Sequence, residues 1–331
     1  MRPLPAILCI DVEPDAFFVD RDRPVPWRGF EATAEFMAEF RPRLAALTDA
    51  PVHFAWFFRL DPQVGETYGA ADWPLRRYAT LVRGFEEAGD EIGIHTHPYH
   101  WDPGRRGWVQ DHGNQPWIDH VVRSSFEAFR RALGRDCQSF RFGDRWMNDA
   151  TIRLLESLGV RFDLTVEPGQ PRIRSYHPEA PSTGSLPDYR RVPRTPYRPS
   201  PADFRKSDPS RRDGLILIPV SAGTIPRHRR RGRLGRAQRL LFRLFRLSRL
   251  RDRPFSLNLG HPPPCFTPIV DQVLDALRPP FLVLMVRTDA FADPAQRANL
   301  ETNLAHIVTR SAVRRCRWST PAELLALLGV P

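Results

Sequence analysis

Lysine is almost absent from this chain: Lys206 is the only one, although 49 of its 331 residues are basic. The four cysteines lie far apart and form no CxxC pair, so we expect buried thiols in a reducing compartment. No apolar stretch reaches the roughly 18 residues of a membrane-spanning helix, and neither a glycine-rich nucleotide loop nor an internal repeat occurs. The amino-terminal residues show no signal-peptide pattern, which predicts a cytoplasmic protein.

Acidic residues are nearly missing from residues 227–253, which contain twelve arginines and one acid, Asp252. This segment accounts for the whole formal net charge of +11, because 37 of the 49 basic residues and 37 of the 38 acidic residues lie elsewhere. A basic excess confined to one arginine-rich segment indicates a compositional bias more than a surface selected for phosphate contacts. Nucleic acid is therefore not the expected partner.

Short apolar runs alternate with amphipathic stretches along most of the chain. The runs predicted to be strands are 6–10, 52–58, 91–95, 139–142, 161–166, 215–220, 255–259 and 281–286. The predicted helices are 32–47, 75–88, 118–133, 149–158 and 268–277. Nearly continuous apolar strands separated by amphipathic helices are typical of a parallel α/β architecture. Seven or eight such units favour a (β/α) barrel over an open sheet, and we expect a single domain over residues 1–331.

Residues 168–209 break this alternation, because they contain ten prolines and few apolar residues. Proline lacks the backbone donor and has a fixed φ, so we expect no regular element here. A long ordered loop that follows a strand in such a fold often covers the active site. The segment is interpreted either as a lid or as a solvated insertion.

The arginine-rich segment 227–253 is the second interruption. From Leu234 onward, apolar residues recur at 240, 241, 244, 245, 247 and 250, and arginines at 236, 239, 243, 246 and 249. This spacing predicts a basic amphipathic helix. Such a helix could lie on an anionic membrane surface, contact phosphates or an anionic substrate carrier, or pack on the barrel with its arginines in solvent.

Three histidines occur within six residues at and after the end of the predicted strand 91–95. Residues i and i+2 of a strand point to the same side, so His95 and His97 can face one point. Pro98 would end the strand and turn the chain so that His100 returns to that point. Because neutral imidazole is a common ligand of catalytic metals, the motif predicts a metal site. The alternative is a set of ordinary polar groups at a strand end.

Two carboxylates at the end of the first predicted strand support a metal site. Asp11 and Glu13 stand at i and i+2, and Pro14 prevents the strand from continuing. Active sites of barrels form at the carboxyl ends of the strands, where one acid can bind a metal while the other acts as a base. Acids that begin a loop are otherwise solvated or cap a helix.

Over residues 5–290 this chain resembles the polysaccharide deacetylase superfamily with the NodB homology domain, because its motifs occur in the same order as in that family. The matching stretches are Asp11-Val-Glu13, Glu91-Ile-Gly-Ile-His95-Thr-His97, Phe140-Arg141-Phe-Gly-Asp144-Arg-Trp146, Leu158-Gly-Val-Arg-Phe-Asp163 and the late histidine His261. The resemblance implies a distorted (β/α) barrel of NodB type and a divalent metal ion, usually zinc. It also implies hydrolysis of an N-acetyl or similar group on a sugar.

The resemblance assigns catalytic roles to three residues. Asp11 would be the general base, Arg141 would hold Asp11 in place, and His261 would protonate the leaving amine. The alternative is that Arg141 is an ion-pair partner in the barrel and that His261 is an ordinary histidine in a loop.

The metal ligands implied by the resemblance are Glu13 and two histidines, of which His95 is the first. In the family the two histidines are separated by three residues, but position 99 is Tyr in this chain. The second histidine ligand is therefore His97 or His100, and His97 is favoured.

Four further residues are candidate substrate contacts. Arg59 follows the second predicted strand, Asp163 lies within the fifth, and the rings of Tyr99 and Trp146 could stack on a sugar. For each of them a structural role is the alternative: an ion pair, a cap or packing.

The predicted function is a cytoplasmic, metal-dependent deacetylase that acts on a nucleotide-linked or lipid-linked sugar. Residues 227–253 would then make a peripheral contact with the inner membrane surface. The alternative is a non-catalytic protein of the same fold that binds carbohydrate or a membrane surface. A third hypothesis is an iron enzyme, because one carboxylate and two histidines also satisfy that ligand set.

Overall fold

The computed structural model describes residues 3–16, 18–226, 252–310 and 316–330. The strands are β1 (Leu4–Val12), β2 (Ala55–Arg59), β3 (Glu91–Thr96), β4 (Tyr99–Asp102), β5 (Gly107–Asp111), β6 (Ser139–Phe142), β7 (Phe162–Asp163), β8 (Ser182–Thr183), β9 (Pro199–Ser200), β10 (Asp203–Ser207), β11 (Ile216–Leu217), β12 (Ala222–Pro226), β13 (Asp252–Ser256), β14 (Leu282–Arg287) and β15 (Cys316–Trp318). The helices are α1 (Arg28–Thr48), α2 (Pro62–Tyr68), α3 (Trp73–Arg77), α4 (Ala79–Glu87), α5 (Gln115–Leu133), α6 (Asp149–Ser157), α7 (Pro263–Ala276), α8 (Pro294–Arg310) and α9 (Pro321–Leu328). Two short 3₁₀ turns span Gly143–Arg145 and Thr288–Ala292.

The main sheet of the described residues is parallel throughout. Its strand order is β11-β7-β6-β3-β2-β1-β14, and β15 pairs with the first residues of β1. The sheet curls into a half-barrel with helices around it. The carboxyl ends of all these strands therefore open on one side of the molecule, which is where a site is expected.

Irregular backbone connects the two edges of the curled sheet. Ser221 N donates to Val283 O at 2.9 Å, and Leu259 N donates to Met285 O at 2.9 Å. Met285 N donates in turn to Leu257 O, also at 2.9 Å. Single hydrogen bonds thus replace a ladder between β11 and β14, and the barrel is distorted at this seam. The predicted distorted (β/α) barrel is confirmed.

Period-two alternation sorts the side chains of β1 into two layers. Leu8 belongs to the large core cluster that includes the helices, whereas Ile7 and Cys9 belong to a smaller cluster formed largely by β1, β2, β7, β11 and β14. Asp11 and Glu13 continue the positions of Ile7 and Cys9 along the chain. The apolar interior of the barrel therefore becomes polar at its carboxyl end, because the same face changes from apolar residues to carboxylates.

Several predicted elements have different bounds in the structure. The helix predicted at 75–88 is two helices, α3 and α4, separated at Tyr78, whose φ of −110° and ψ of 27° leave the helical region. The Tyr78 ring packs against Phe30 with a centroid distance of 4.9 Å. The strand predicted at 255–259 overlaps β13 only at 255–256, because β13 ends at Ser256 and pairs antiparallel with β12. Residues 257–259 bond to β14 instead.

The proline-rich segment 168–209 contains the short strands β8, β9 and β10, a departure from the expectation of no regular element. Hydrogen bonds of Arg145, which follows β6, connect the proline-rich segment to the barrel. Arg145 Nη2 donates to Pro171 O at 2.9 Å, and Tyr189 OH donates to Arg145 O at 2.8 Å. Residues 170–189 are therefore packed on the barrel end and contribute to the cavity described below.

The basic helix predicted within 227–253 falls on residues 227–251, which lie outside the described residues. None of the helices in the described ranges has the length and apolar character needed to span a bilayer. All four cysteines are free; three are buried, as expected, and Cys265 is half-buried on α7.

Candidate active site

Strand register brings the functional side chains together. Arg59 on β2 is the register partner of His95 on β3, and His95 is the partner of Arg141 on β6. Toward the other edge of the sheet, Asp11 on β1 pairs with Arg287 on β14. Register partners on neighbouring strands project from the same face, so these five side chains meet at the carboxyl end of the barrel.

Local contacts extend this arrangement beyond the strand ends. Glu13 lies past β1, and its backbone N–H donates to Thr288 Oγ1 at 2.9 Å. His97 lies past β3, and its backbone N–H donates to Asp61 Oδ2 at 3.0 Å. Asp61 also caps α2, because its side chain accepts from Val64 N. The loop residues of the site are therefore held by neighbouring elements rather than by the strands alone.

Glu13, His95 and His97 form a group whose ligand atoms lie within 4.8 Å of one another. His95 Nε2 lies 3.1 Å from His97 Nε2 and 3.4 Å from Glu13 Oε1. His97 Nε2 lies 3.8 Å from Glu13 Oε2. Ligand atoms around a tetrahedral zinc ion are about 3.3–3.4 Å apart, from bond lengths of about 2.0–2.1 Å. The three side chains are thus spaced as ligands of one small cation.

The polar neighbours of His95 and His97 indicate which nitrogen of each imidazole is available to bind a metal. His95 Nδ1 lies 2.9 Å from the carbonyl oxygen of Arg141, which can only accept, so the proton of neutral His95 belongs on Nδ1. His97 Nδ1 faces the Asp144 carboxylate at 3.5 Å, longer than a normal hydrogen bond, and the negative charge there favours the proton on the same nitrogen. Both Nε2 atoms then carry lone pairs that face each other. Such an arrangement repels unless a cation lies between them.

Glu13 supplies a second indication, a buried carboxylate oxygen without a hydrogen bond in the part of the chain that the structure describes. Its Oε2 atom is buried and has no hydrogen-bond partner among the described residues. Burial alone would raise the pKa of the Glu13 carboxyl, but Arg287 and the two imidazoles hold it well below its usual range. A buried, ionised oxygen without a hydrogen bond is costly. The donor set therefore fits a divalent metal ion, as the sequence predicted for Glu13, His95 and His97.

Asp11 and Arg141 form a buried pair beside this group. Arg141 Nε donates to Asp11 Oδ1 at 2.8 Å and to Oδ2 at 3.1 Å, and Arg141 Nη1 donates to Leu164 O. Desolvation alone would lower the pKa of Arg141, but Asp11 raises it. His95 Nδ1 is 4.0 Å from Asp11 Oδ1. Asp11 is therefore fixed in position next to a candidate metal ligand without being part of the ligand group.

An open cavity of about 430 Å³ lies over these residues. Its lining includes Asp11, Glu13, His95, His97 and Arg141 at the base. The wall residues come from later parts of the chain; among them are Asp144, Glu167, Tyr176, His177, Phe255, His261 and Arg287. The late histidine of the sequence motif thus does reach the same cavity, and residues of the proline-rich segment form part of its wall.

His261 is partly buried in this wall. Its ring lies edge-on to Phe255, with a centroid distance of 5.7 Å, and its Nδ1 has no hydrogen-bond partner among the described residues. Burial lowers the pKa of His261, and no carboxylate contributes to that shift. The residue therefore lies in the cavity, and no acidic group of the described residues orients it.

The other predicted site residues take different positions. His100 Nδ1 lies 3.2 Å from Asp111 Oδ2, and His100 is not part of the Glu13–His95–His97 group. Trp146 is buried, stacks on His112 and does not line the cavity. The structure therefore does not bring His100 or Trp146 into the cavity.

Tyr99, Asp163 and Arg59 are fully buried. Tyr99 OH donates to Asp144 Oδ2 at 2.8 Å. Asp163 accepts from Thr165 N and Thr165 Oγ1, and burial raises its pKa to about 7. Arg59 Nε donates to Asp61 Oδ2 at 2.9 Å, and Arg59 Nη1 lies 3.6 Å from Glu13 Oε2. None of the three lines the cavity: Tyr99 and Arg59 contact the lining residues Asp144 and Glu13, whereas Asp163 is bonded to Thr165.

Sequence reasoning did not assign roles to Asp144, Arg287 and His177. Arg287 Nε lies 3.4 Å from Glu13 Oε1, and His177 Nε2 lies 3.8 Å from Asp144 Oδ1. Arg287 could have been found from the alternation of the strand predicted at 281–286, since it continues the inward positions 283 and 285. His177 has no such signal, because no periodicity extends into the proline-rich segment.

Burial alone would raise the pKa of the Asp144 carboxyl, but His97, His112 and the Tyr99 hydroxyl lower it below its usual range. The carboxylate is therefore kept ionised behind His97. Its role could not be read from the chain, because Asp144 is brought to His97 by a turn rather than by a strand.

The parallel α/β half-barrel with its surrounding helices is a distorted (β/α) barrel of NodB type, the fold of the solved polysaccharide deacetylase structures to which this chain is similar. A glycoside hydrolase/deacetylase, as its structure is described, from Parabacteroides distasonis is similar at a TM-score of 0.56 and 13% identity, over 99% of this chain and 71% of that one. A probable polysaccharide deacetylase from Pseudomonas aeruginosa PAO1 is similar at a TM-score of 0.51 and 10% identity, over 98% and 91%. At these identities the likeness concerns the fold. No family model matches the chain, and no curated protein matches it.

Proposed function

We propose that this protein is a metal-dependent hydrolase that removes an acyl group, in the simplest case N-acetyl, from a sugar or glycan precursor. One observation carries the proposal: the Arg141–Asp11 pair lies beside the Glu13–His95–His97 group at the base of one open cavity. Metal-dependent hydrolysis of an unactivated amide uses a Lewis acid with an open coordination position and a base that accepts the proton of the attacking water. The Glu13–His95–His97 group could hold the Lewis acid and Asp11 could be the base, and Asp11 Oδ1 lies 4.0 Å from His95 Nδ1.

Glu13, His95 and His97 would hold the metal ion, for which zinc is the first candidate. When bound, such an ion polarises the amide carbonyl and lowers the pKa of water toward neutrality. Three protein ligands are the usual number for a catalytic zinc site, because the fourth position is then free. The Arg141 carbonyl oxygen holds His95 in the tautomer that this requires.

Asp11 would accept the proton of the attacking water. Its two oxygens both receive hydrogen bonds from Arg141 Nε, so the carboxylate is held in one orientation. His261, which also lines the cavity, would give a proton to the leaving amine. Because burial lowers its pKa, protonated His261 is a stronger acid than histidine in water.

The proposed substrate is a sugar or glycan precursor, nucleotide-linked or lipid-linked, in the cytoplasm. Residues 227–253 would supply the contact with the inner membrane surface, a proposal that rests on their amphipathic sequence. Binding of the full chain to phosphatidylserine vesicles, compared with phosphatidylcholine vesicles, tests this. Equal affinity for the two would exclude the basic contact, because attraction between arginines and anionic lipids would then be absent.

The proposed function is tested by metal content and acetate release from N-acetylglucosamine oligomers. We expect near one zinc per chain in the wild type, loss of zinc and activity in His95→Ala, and loss of activity with zinc retained in Asp11→Asn. The exposed His120 provides the matched control, His120→Ala, which keeps both. Absence of metal in the wild type, even after reconstitution, would refute the hydrolase and favour a carbohydrate-binding protein on the same fold. Iron in place of zinc would favour the oxygen-dependent alternative.

A further inference from the structure

The carboxylate of Asp144 lies directly behind His97 and takes no part in the reaction proposed above. Asp144 is in the 3₁₀ turn Gly143–Arg145 that follows β6, and its side chain is almost fully buried. Its Oδ2 atom accepts from Tyr99 OH at 2.8 Å and lies 3.5 Å from His97 Nδ1. Asp144 therefore contacts the imidazole on the edge away from Glu13 and His95.

Asp144 has a backbone conformation that few residues other than glycine adopt. Its φ of 53° and ψ of 20° lie in the left-handed region, and Arg145 follows with a φ of 50°. Non-glycine residues in this region are strained and persist where the surroundings determine them. Tyr99, Arg145 and the imidazole of His97 are those surroundings here. The turn thus places one particular side chain behind one particular ring.

Gly143 shows how closely this turn approaches the ring. A Cβ atom at Gly143 would lie 2.2–2.4 Å from three atoms of the His97 imidazole. Real Cβ atoms do not approach other atoms so closely, so the imidazole occupies space that only glycine leaves open. The turn and His97 are therefore fitted to each other as one unit.

Two other histidines also face Asp144, but at longer distances. His112 Nε2 lies 3.8 Å from Oδ2, and His177 Nε2 lies 3.8 Å from Oδ1. The 3.5 Å distance to His97 is also longer than a typical hydrogen bond, but His97 is the nearest of the three imidazoles, and the Tyr99 hydroxyl is hydrogen-bonded to Asp144. Of the three imidazoles, His97 is therefore the one that Asp144 contacts most closely.

We propose that Asp144, held by Tyr99, is a positioning residue that selects His97 as the second histidine ligand of the metal. The negative charge of its carboxylate, 3.5 Å from His97 Nδ1, favours the proton on that nitrogen and leaves the Nε2 lone pair aimed at Glu13 and His95. For His95 the carbonyl oxygen of Arg141 has the same function. Carboxylate or carbonyl partners of this kind fix the ring orientation of metal-binding histidines and raise their basicity. This inference rests on the metal site of the proposed function and adds a determinant of its affinity.

Asp144→Asn is the informative variant. Asparagine has the same shape and tolerates the left-handed region, so the turn is retained while the charge is removed. Competition with a chromophoric chelator, on the full-length chain, gives the zinc dissociation constant. We expect zinc binding to weaken about 10–100-fold in Asp144→Asn. Tyr99→Phe should give a smaller loss, because Asp144 remains but loses its hydroxyl donor.

Asp90→Asn is the matched control. Asp90 is a buried carboxylate that accepts from Phe54 N and Trp56 Nε1, both at 2.9 Å, at the amino end of β3. It should lose thermal stability without losing zinc affinity. Cobalt(II) absorption provides a second readout, because a reoriented His97 changes the visible bands of the bound ion.

The outcomes separate this inference from the proposed function. Unchanged zinc affinity and an unchanged cobalt spectrum in Asp144→Asn, with zinc lost in His97→Ala, would overturn the role of Asp144 and leave the metal site standing. An equal loss of affinity in Asp90→Asn would also overturn it, because the effect would then be one of stability. Failure of the wild type to bind zinc would remove both proposals.

Discussion

Arg141 Nε donates to both carboxylate oxygens of Asp11, at 2.8 and 3.1 Å, inside a barrel where both side chains are almost fully buried. The pair joins β6 to β1 across two intervening strands. It also adjoins a candidate metal ligand, since Asp11 Oδ1 lies 4.0 Å from His95 Nδ1. A change in this one contact therefore affects the orientation of the proposed base without touching the metal ligands.

Arg141→Lys should lower kcat by about 100-fold while the zinc content stays near that of the wild type. Lysine is a point charge on a flexible chain and cannot bind Asp11 while also reaching Leu164 O, so the carboxylate moves. A displacement of about 1 Å near the reacting atoms can cost this much. Steady-state acetate release and elemental analysis measure the two quantities. Unchanged kcat, or lost metal, would contradict a role in orienting Asp11.

His97→Ala should lose zinc, whereas His100→Ala should keep it. The structure places His97 Nε2 3.1 Å from His95 Nε2, but it places His100 Nδ1 3.2 Å from Asp111. The two variants remove the same side chain three positions apart, so each controls for the other. Zinc content by elemental analysis decides between them. Zinc lost in His100→Ala alone would show that the ligand is His100.

Gly143→Ala should weaken zinc binding and reduce stability, because the new methyl group would overlap the His97 ring. Gly84→Ala is the control: it lies within α4, a Cβ atom added there would meet nothing within 4 Å, and alanine should stabilise the helix by up to about 1 kcal/mol. Urea unfolding and chelator competition measure both effects. Wild-type zinc affinity in Gly143→Ala would show that the imidazole can move aside freely.

Asp163 should make the protein less stable as the pH rises. Burial raises its pKa from 3.8 to about 7, so between these values the folded state keeps a proton that the unfolded state has lost. The free energy of unfolding therefore falls through this window and changes no further above it. Asp163→Asn removes the contribution, which is at most about 4 kcal/mol. Urea unfolding at pH 4.5 and pH 8 should show a smaller decrease in the variant than in the wild type, and an equal decrease would contradict the assignment.

Cys265 should be the only cysteine that reacts rapidly with a thiol reagent in the native protein. Burial raises the pKa of Cys9, Cys137 and Cys316 to about 12, so their thiolates are scarce as well as inaccessible. Cys265 is half-buried at the start of α7. Ellman's reagent should titrate one thiol in buffer and four in guanidinium chloride. A fast phase that survives Cys265→Ser would contradict this.

The ligand group was within reach of sequence reasoning because it depends on short spacings. Asp11 and Glu13, like His95 and His97, stand two residues apart at strand ends, and period two alone puts each pair on one face. Arg287 followed from the same rule but was not identified. His261 could be placed only by motif order, since its neighbours are irregular, and its distance from the ligand group depends on how the seam of the barrel closes.

The roles of Tyr99 and Trp146 show where sequence reasoning fails. An aromatic ring near a catalytic motif is a candidate sugar platform, but both side chains are buried, one bonded to Asp144 and the other stacked on His112. Tyr99 packs against Phe18 and Arg59, and Trp146 against His112. No local pattern determines this, because these contacts join residues far apart in the chain.

The sequence by itself determined the parallel α/β barrel, the pairing of Asp11 with Glu13 on one face, and the histidine motif at the end of β3. These features follow from alternation and apolar runs, which are properties of neighbouring residues. Only the tertiary structure decided that His97 rather than His100 joins Glu13 and His95, that Asp144 lies behind it, and that the proline-rich segment lines the cavity. These depend on strand register, on a left-handed turn and on packing across the barrel, which no short stretch of sequence specifies.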